Sequence, residues 1–293
     1  MSSVFLHLDK SLQKTLEKRD WKPTPIQISA IPEIIAGKDR LLIAPTGSGK
    51  TLSAILPILH RCLVEKWEPL AVIYITPLRA LNRDVDRRLQ EISEAVGLRV
   101  GLRHGDTTQS ERAKQVRNPP HILVTTPETF QLMFTGKNLR KLLSTVKAVI
   151  VDEVHDLAAS ERGWQLSIGL SRLEALSGNK LQRIGLSATV GNPDQVAKWL
   201  SKDGLAIIET GKRVTKISVE TAFPSPIDET GAIEHAVPSR AHAIFREIVE
   251  IITKDAPCLL FVNSRSDAET IANRLQKMAP ELKIGIHHGS LAT

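Results

Sequence analysis

Short apolar runs alternate with stretches of helical periodicity along the first two thirds of this chain. The runs at 40–43, 70–75, 121–124, 148–151, 182–186 and 205–208 are almost continuously apolar rather than alternating with polar positions. That pattern predicts strands buried on both faces, as in a parallel sheet, because a strand with one wet face alternates. Between them, positions 26–36, 52–64, 78–95, 128–135, 164–176 and 193–200 carry apolar residues at helical spacing. Strand and helix take turns, which predicts an α/β fold: a parallel sheet with helices on both faces.

Beyond Gly211 the texture changes. Positions 216–222 predict a strand, and 223–240, rich in Pro, Ser, Asp and Glu, predict a surface loop. A helix at 241–253, a strand at 258–262, a helix at 266–277 and a strand at 282–286 follow. These are few elements for an independent α/β domain. The expected division is 1–210 as one domain and 211–293 as the first part of a second, cut short, with an apolar strand edge open to solvent.

Composition narrows the partners more than the fold. At 293 residues and 42% apolar content, the chain has material for two modest cores. A net charge of +7 favours a polyanionic partner, while aromatic content of 4% argues against extensive base stacking. Cys62 and Cys258 lie far apart without metal-ligand spacing, which suits a reducing intracellular setting. The N-terminus lacks a signal peptide's charged start and long apolar core, and no apolar run is long enough to span a membrane.

Two segments carry the chemistry. Ala44-Pro45-Thr46-Gly47-Ser48-Gly49-Lys50-Thr51 follows a predicted strand and leads into a predicted helix, the context of a phosphate-binding P-loop. Small residues let the backbone curl its N–H groups around phosphate oxygens, and the helix N-terminus adds partial positive charge. Lys50 is placed to reach the terminal phosphates and Thr51 to ligate Mg²⁺. Ala44 stands where the general pattern has its first Gly, so that position must avoid positive φ. A Gly-rich turn before an ordinary helix is the plain alternative. In the second segment, the run 148–151 delivers Asp152 and Glu153 to the C-terminal end of a strand, where ligands sit in open α/β sheets. Asp152 is a candidate Mg²⁺ ligand, and Glu153 a candidate base for an attacking water. Acidic residues that merely end a strand are the alternative.

Together these segments resemble the motor of superfamily 2 DEAD/DEAH-like helicases, with Asp152-Glu153-Val154-His155 as its second motif. The resemblance implies a RecA-like sheet followed by a partial second RecA-like domain. Thr24-Pro25-Ile26-Gln27 looks like the family's adenine-reading element; Trp21 either lies against the base or pins the first helix. Thr76-Pro77-Leu78-Arg79 and Thr125-Thr126-Pro127-Glu128 resemble motifs that grip one strand by its backbone, and Gly105-Asp106 a smaller element on the same side. Ser187-Ala188-Thr189, with His155, resembles the element coupling the nucleotide site to the strand-binding face. In the second region, Asn263-Ser264-Arg265 and His288-Gly289 resemble further backbone contacts. The pair His287-His288 lacks nearby partners at metal-ligand spacing.

Longer strings, Arg79-Ala80-Leu81-Asn82-Arg83-Asp84-Val85 and Glu161-Arg162-Gly163-Trp164-Gln165-Leu166 among them, look like the Lhr-type branch. What the resemblance implies is an ATP- and Mg²⁺-dependent helicase or translocase of 3′-to-5′ polarity. Its partner would be single-stranded nucleic acid, DNA favoured over RNA, in the cytoplasm and on the nucleoid if DNA. No Gln-x-x-Gly-Arg-x-Gly-Arg string of the family's late arginine motif occurs. The chain is thus expected, as an N-terminal fragment, to bind ATP and nucleic acid but turn ATP over poorly. The other function class is a nucleic-acid-binding module whose ATP site is a switch or idle.

Overall fold

The computed structural model describes residues 3–77, 82–178, 180–188, 190–201, 205–211, 217–255 and 257–287, with the side chains of 3, 82–86 and 137 excepted. The chain divides into two compact units, Met1–Val214 and Thr215–Thr293. The first opens with a 3-10 turn (Ser3–His7), α1 (Lys10–Glu17) and α2 (Pro25–Ile35). Then come β1 (Arg40–Ile43), α3 (Lys50–Val64), β2 (Val72–Ile75), α4 (Asn82–Ala95), β3 (Val100–Arg103) and α5 (Gln109–Arg117). After these lie β4 (Ile122–Thr125), α6 (Pro127–Leu132), α7 (Lys137–Leu143), β5 (Ala148–Val151) and α8 (Val154–Ala158). The unit closes with α9 (Glu161–Ser177), β6 (Gln182–Ser187), α10 (Pro193–Leu200) and β7 (Ala206–Glu209).

The strands form one seven-stranded sheet in the order β3-β4-β2-β5-β6-β1-β7, with every pairing parallel. Successive strand residues enter opposite cores. Val72, Tyr74, Ala148 and Ile150 join Ile31, Ala54 and Ile58 in one apolar cluster. Ile73, Ile75, Val149 and Val151 join Phe130, Leu166 and Leu170 in the other. This is why these strands read as continuous apolar runs, each fully buried aliphatic side chain contributing about 1.5–3 kcal/mol.

Strand β3 escapes the hydrophobic pattern because it is a half-buried edge strand flanked by arginines. Its Gly101 admits Pro120: a Cβ there would lie 2.8 Å from the proline Cγ. Helices α1 and α5 are short and polar, but each carries a cap. Asp9 accepts from the Ser11 N–H at 2.8 Å, and Thr108 and Glu111 form a reciprocal capping box. Among the described residues no helix is long and apolar enough to cross a membrane.

The second unit is built from α11 (Pro226–Glu234), α12 (Ser239–Asp255) and α13 (Arg265–Met278). Two expectations are corrected here. The presumed loop 223–240 contains α11, started by Pro226 at its first position and a Ser225–Asp228 capping box. The presumed strands at 216–222, 258–262 and 282–286 form no ladder among the described residues. A strand is defined by the neighbour it bonds to, and these segments do not pair with one another. Ile217, Val219, Leu259 and Phe261 accordingly stand 80–90% exposed. The polar centre of the unit is Asp228, which accepts from the Ser225 N–H and hydroxyl, the His242 ring at 2.9 Å and Arg246 at 3.1 Å. Gly231 lets α11 lie close on α12, since a Cβ there would fall 2.2 Å from His242 Nε2.

Candidate functional site

The loop after β1 is fastened at its start by the Ala44 N–H, which donates to the Ser187 carbonyl at 3.3 Å. Its turns are made by Gly47 (φ 81°) and Gly49 (φ 92°), while Ala44 avoids positive φ. Lys50 then opens α3, and its ammonium donates back to the Ala44 and Pro45 carbonyls, the latter at 3.0 Å. Half-burial holds Lys50 below the usual lysine range, while Glu153 and Asp152 pull it back up. Thr46 and Gly47 form the exposed rim. Ser48 Oγ is buried and, among the described residues, has no hydrogen-bond partner, a cost that an incoming phosphate oxygen would relieve.

Strand β5 ends at the acid pair. Asp152 is anchored through its N–H to the Ile75 carbonyl at 2.8 Å. Its Oδ1 accepts from the Glu153 N–H at 2.9 Å and its Oδ2 from the Tyr74 hydroxyl. Tyr74 also interacts with the Thr51 side chain, so one phenol lies beside both candidate Mg²⁺ ligands. Burial raises the Asp152 pKa, and burial together with the Asp152 charge raises that of Glu153. Glu153 adopts left-handed backbone angles (φ 46°, ψ 47°) at the start of α8, a conformation costing a non-glycine residue about 1–2 kcal/mol. Two partly buried carboxylates beside a hydroxyl and an ammonium form a donor set suited to a hard divalent cation.

Strand β6 lies between β5 and β1, and its last residue ties them together. The Ser187 carbonyl holds Ala44, and its hydroxyl lies 3.1 Å from His155 Nδ1, itself 3.5 Å from a Glu153 oxygen. A displacement at the P-loop therefore has a contiguous route to the acid pair. Ala188 follows, half-buried.

Gln27 reaches the same loop from α2. Its Oε1 accepts from the Thr24 N–H at 3.0 Å and its Nε2 donates to the Gly49 carbonyl at 3.3 Å. Each end of the amide retains one further hydrogen-bonding position. Beside it opens a cavity of about 380 Å³ lined by Trp21, Thr24, Gln27, Gly49, Arg87 and Arg88, among others. Trp21 packs against the first core and carries the Arg19 guanidinium 5.4 Å from its ring centre.

The DEAD/DEAH box helicase family model matches residues 24–196. The chain belongs to that family. It is 36% identical to the ATP-dependent helicase Lhr-Core protein 2 of Thermococcus barophilus, over 92% of this chain and 34% of that protein. It is 34% identical to ATP-dependent helicase Lhr-Core of Methanocaldococcus jannaschii, over 99% of this chain and 36% of that protein. The structure of Mycobacterium smegmatis helicase Lhr bound to ssDNA and AMP-PNP aligns with 99% of this chain and 39% of its own. The TM-score is 0.75 at 32% identity. The chain thus spans about a third of the length of these relatives.

In this DEAD/DEAH box chain the candidate strand-gripping loops follow β2, β4 and β3, which are neighbours at one end of the sheet. The Thr125 hydroxyl donates to the Arg103 carbonyl at 2.7 Å, and Thr126 caps α6. Both threonines and Pro127 are buried, whereas Glu128 is exposed. Arg162 braces two loops at once, with one nitrogen on Glu128 and another on the Pro77 carbonyl at 3.2 Å. Arg112 does the same for the loop holding Gly105 and Asp106, donating to the His104, Gly105 and Thr107 carbonyls. In the second unit, Asn263 is exposed and the Ser264 hydroxyl caps α13, accepting from the Asp267 N–H at 3.0 Å, just before Arg265. Leu78, Arg79, Thr189, His288 and Gly289 lie outside the described residues. The residues that sequence reasoning missed are Tyr74 and Arg112. Tyr74 is hidden in an apolar strand, where a lone hydroxyl was its one signal.

Proposed function

We propose that this chain carries the nucleotide-binding motor of an ATP-dependent nucleic-acid helicase or translocase. The observation that carries the reading is the convergence of Lys50, Thr51, Asp152 and Glu153 through the fixed ends of β1, β6 and β5. The P-loop amides, Ser48 and Lys50 hold the phosphates of ATP, and Gln27 reads the adenine edge. Thr51 and Asp152 hold Mg²⁺, which when bound offsets phosphate charge and makes the terminal phosphoryl more electrophilic. Glu153 orients the attacking water and accepts its proton. Its upward-shifted pKa makes it a better base than an ordinary surface glutamate. His155 and Ser187 carry the change in this site to the loops after β2, β3 and β4, which grip a single strand by its phosphates.

DNA is the preferred strand in this reading, supported by the ssDNA held by the M. smegmatis relative; polarity is 3′ to 5′ and the setting intracellular. Residues 1–210 are the first motor domain in this reading, and 211–293 belong to a second. Glu153→Gln tests the assignment. A fluorescent ATP analogue should bind the variant as tightly as the wild type, and strand-stimulated turnover should fall at least a hundredfold. Retained turnover would remove Glu153 from its role. Failure of the wild-type chain to bind Mg–ATP would end the whole reading.

A further inference from the structure

We propose that Tyr74 is a positioning residue for the divalent-cation site, its phenol fixing the Asp152 carboxylate beside Thr51. The inference rests on the motor reading above and extends it to the neighbouring strand. Tyr74 lies in β2, in register with Ile150 of β5, and is 1% exposed. Its ring fills a core position of the kind that Val72, Ile73 and Ile75 fill with aliphatic groups. A hydroxyl at such a place is costly to bury unless it meets a partner. Here it leaves the apolar cluster for the site, donating to Asp152 Oδ2 and interacting with Thr51. With Oδ1 held by the Glu153 N–H, both carboxylate oxygens are fixed, yet each keeps a further lone pair for a cation or its water. Outer partners of this kind orient metal ligands and typically account for 10–100-fold in metal affinity.

The test exploits a convenience of composition: Tyr74 is the chain's single tyrosine. Uniform 3-fluorotyrosine labelling therefore places one ¹⁹F probe at the site. Mg²⁺ with a non-hydrolysable ATP analogue should shift that resonance more than the analogue alone. In parallel, Tyr74→Phe keeps the ring and removes only the hydroxyl. Mn²⁺ titrations followed by EPR in the presence of the analogue should show about tenfold weaker metal binding. Metal-free nucleotide affinity should stay within about twofold of wild type, since the phenol acts on the metal ligands and not on the P-loop. Unchanged or tighter Mn²⁺ binding by folded Tyr74→Phe overturns the proposal, and so does an equal loss of metal-free nucleotide affinity, which marks a packing role. If the variant does not fold, the ¹⁹F measurement decides: a resonance indifferent to Mg²⁺ overturns it. Wild-type protein that binds neither nucleotide nor Mn²⁺ refutes the motor reading itself, an outcome distinct from wild-type binding with an indifferent Tyr74.

Discussion

Gly49→Ala is the most informative single perturbation of the P-loop, because its cost can be worked from two separate contacts. Gly49 has φ 92° and ψ 16°, and placing an L side chain in the left-handed region costs about 1–2 kcal/mol. The new Cβ would also stand 2.6 Å from Gln27 Nε2 and 3.1 Å from Thr24 Oγ1. Gln27 is 4% exposed, and its amide is pinned by the Thr24 N–H and the Gly49 carbonyl. Displacing it sacrifices a helix-capping interaction, worth about 1 kcal/mol. The sum is about 2–3 kcal/mol, and at about 2–4 °C per kcal/mol for a domain of this size the melting temperature should fall by about 4–12 °C. Calorimetry on the chain measures that. The same displacement moves the amide assigned to the adenine edge. Discrimination of ATP from GTP, read by competition against a fluorescent nucleotide, should therefore fall together with stability. A destabilised variant with unchanged discrimination would mean that Gln27 yields freely, and the claimed link between loop and base reader would be wrong; a melting temperature within about 1 °C of wild type would refute the backbone strain as well.

Other perturbations separate the remaining contacts. Gly163→Ala would set a Cβ 1.9 Å from the Leu157 carbonyl oxygen, backbone against backbone. It should destabilise the first unit by about 3 kcal/mol or more, visible as a lowered urea midpoint. Arg162→Ala frees the loops at Pro77 and Glu128; the pair it breaks is half-exposed, so single-strand affinity at fixed salt should weaken only about threefold. A loss of nucleotide affinity instead would show that Arg162 acts on the ATP site. In the second unit, hydrogen bonds from Ser225, then from His242 and Arg246, hold the Asp228 pKa well below the ordinary carboxylate range. Its folded pKa is depressed, so the stabilisation is complete above the unfolded value and is lost as pH falls through the folded one. Hydrogen-exchange protection of α11 and α12 should thus hold from neutral pH to about pH 4 and decline below it, and Asp228→Asn should flatten that decline.

The sheet of the first unit is legible because its strands are buried on both faces. Positions 40–43 and 148–151 match β1 and β5, since a charge or turn residue ends each apolar run abruptly. Edge position defeats the same logic at β3, whose Val100 and Leu102 alternate with Gly101 and Arg103 at partial burial. In the second unit, apolar composition at 258–262 suggests a strand, but pairing is a property of neighbours and not of a segment. The Ser225–Asp228 capping box was readable before α11 and was outweighed by a loop-like composition. At the site, motif spacing reveals Lys50, Thr51, Asp152 and Glu153. Of the residues that hold them, Ser187 and Gln27 stand in motifs that the resemblance named, whereas Tyr74 reaches Asp152 from a strand 78 residues away in sequence. Linear spacing carries no signal for that.

The interposition of β6 has a consequence for selectivity towards charge. Adjacent strands lie about 4.8 Å apart, so the ends of β1 and β5 are separated by about 10 Å. Across that gap the ammonium and the carboxylates still attract one another, each shifting the other's pKa, without closing into an ion pair among the described residues. Lys50 rests instead on two main-chain carbonyls, weak acceptors that a polyphosphate can displace. A narrower arrangement, with the two strands adjacent, would let the opposite charges collapse together and leave a guest to compete against them.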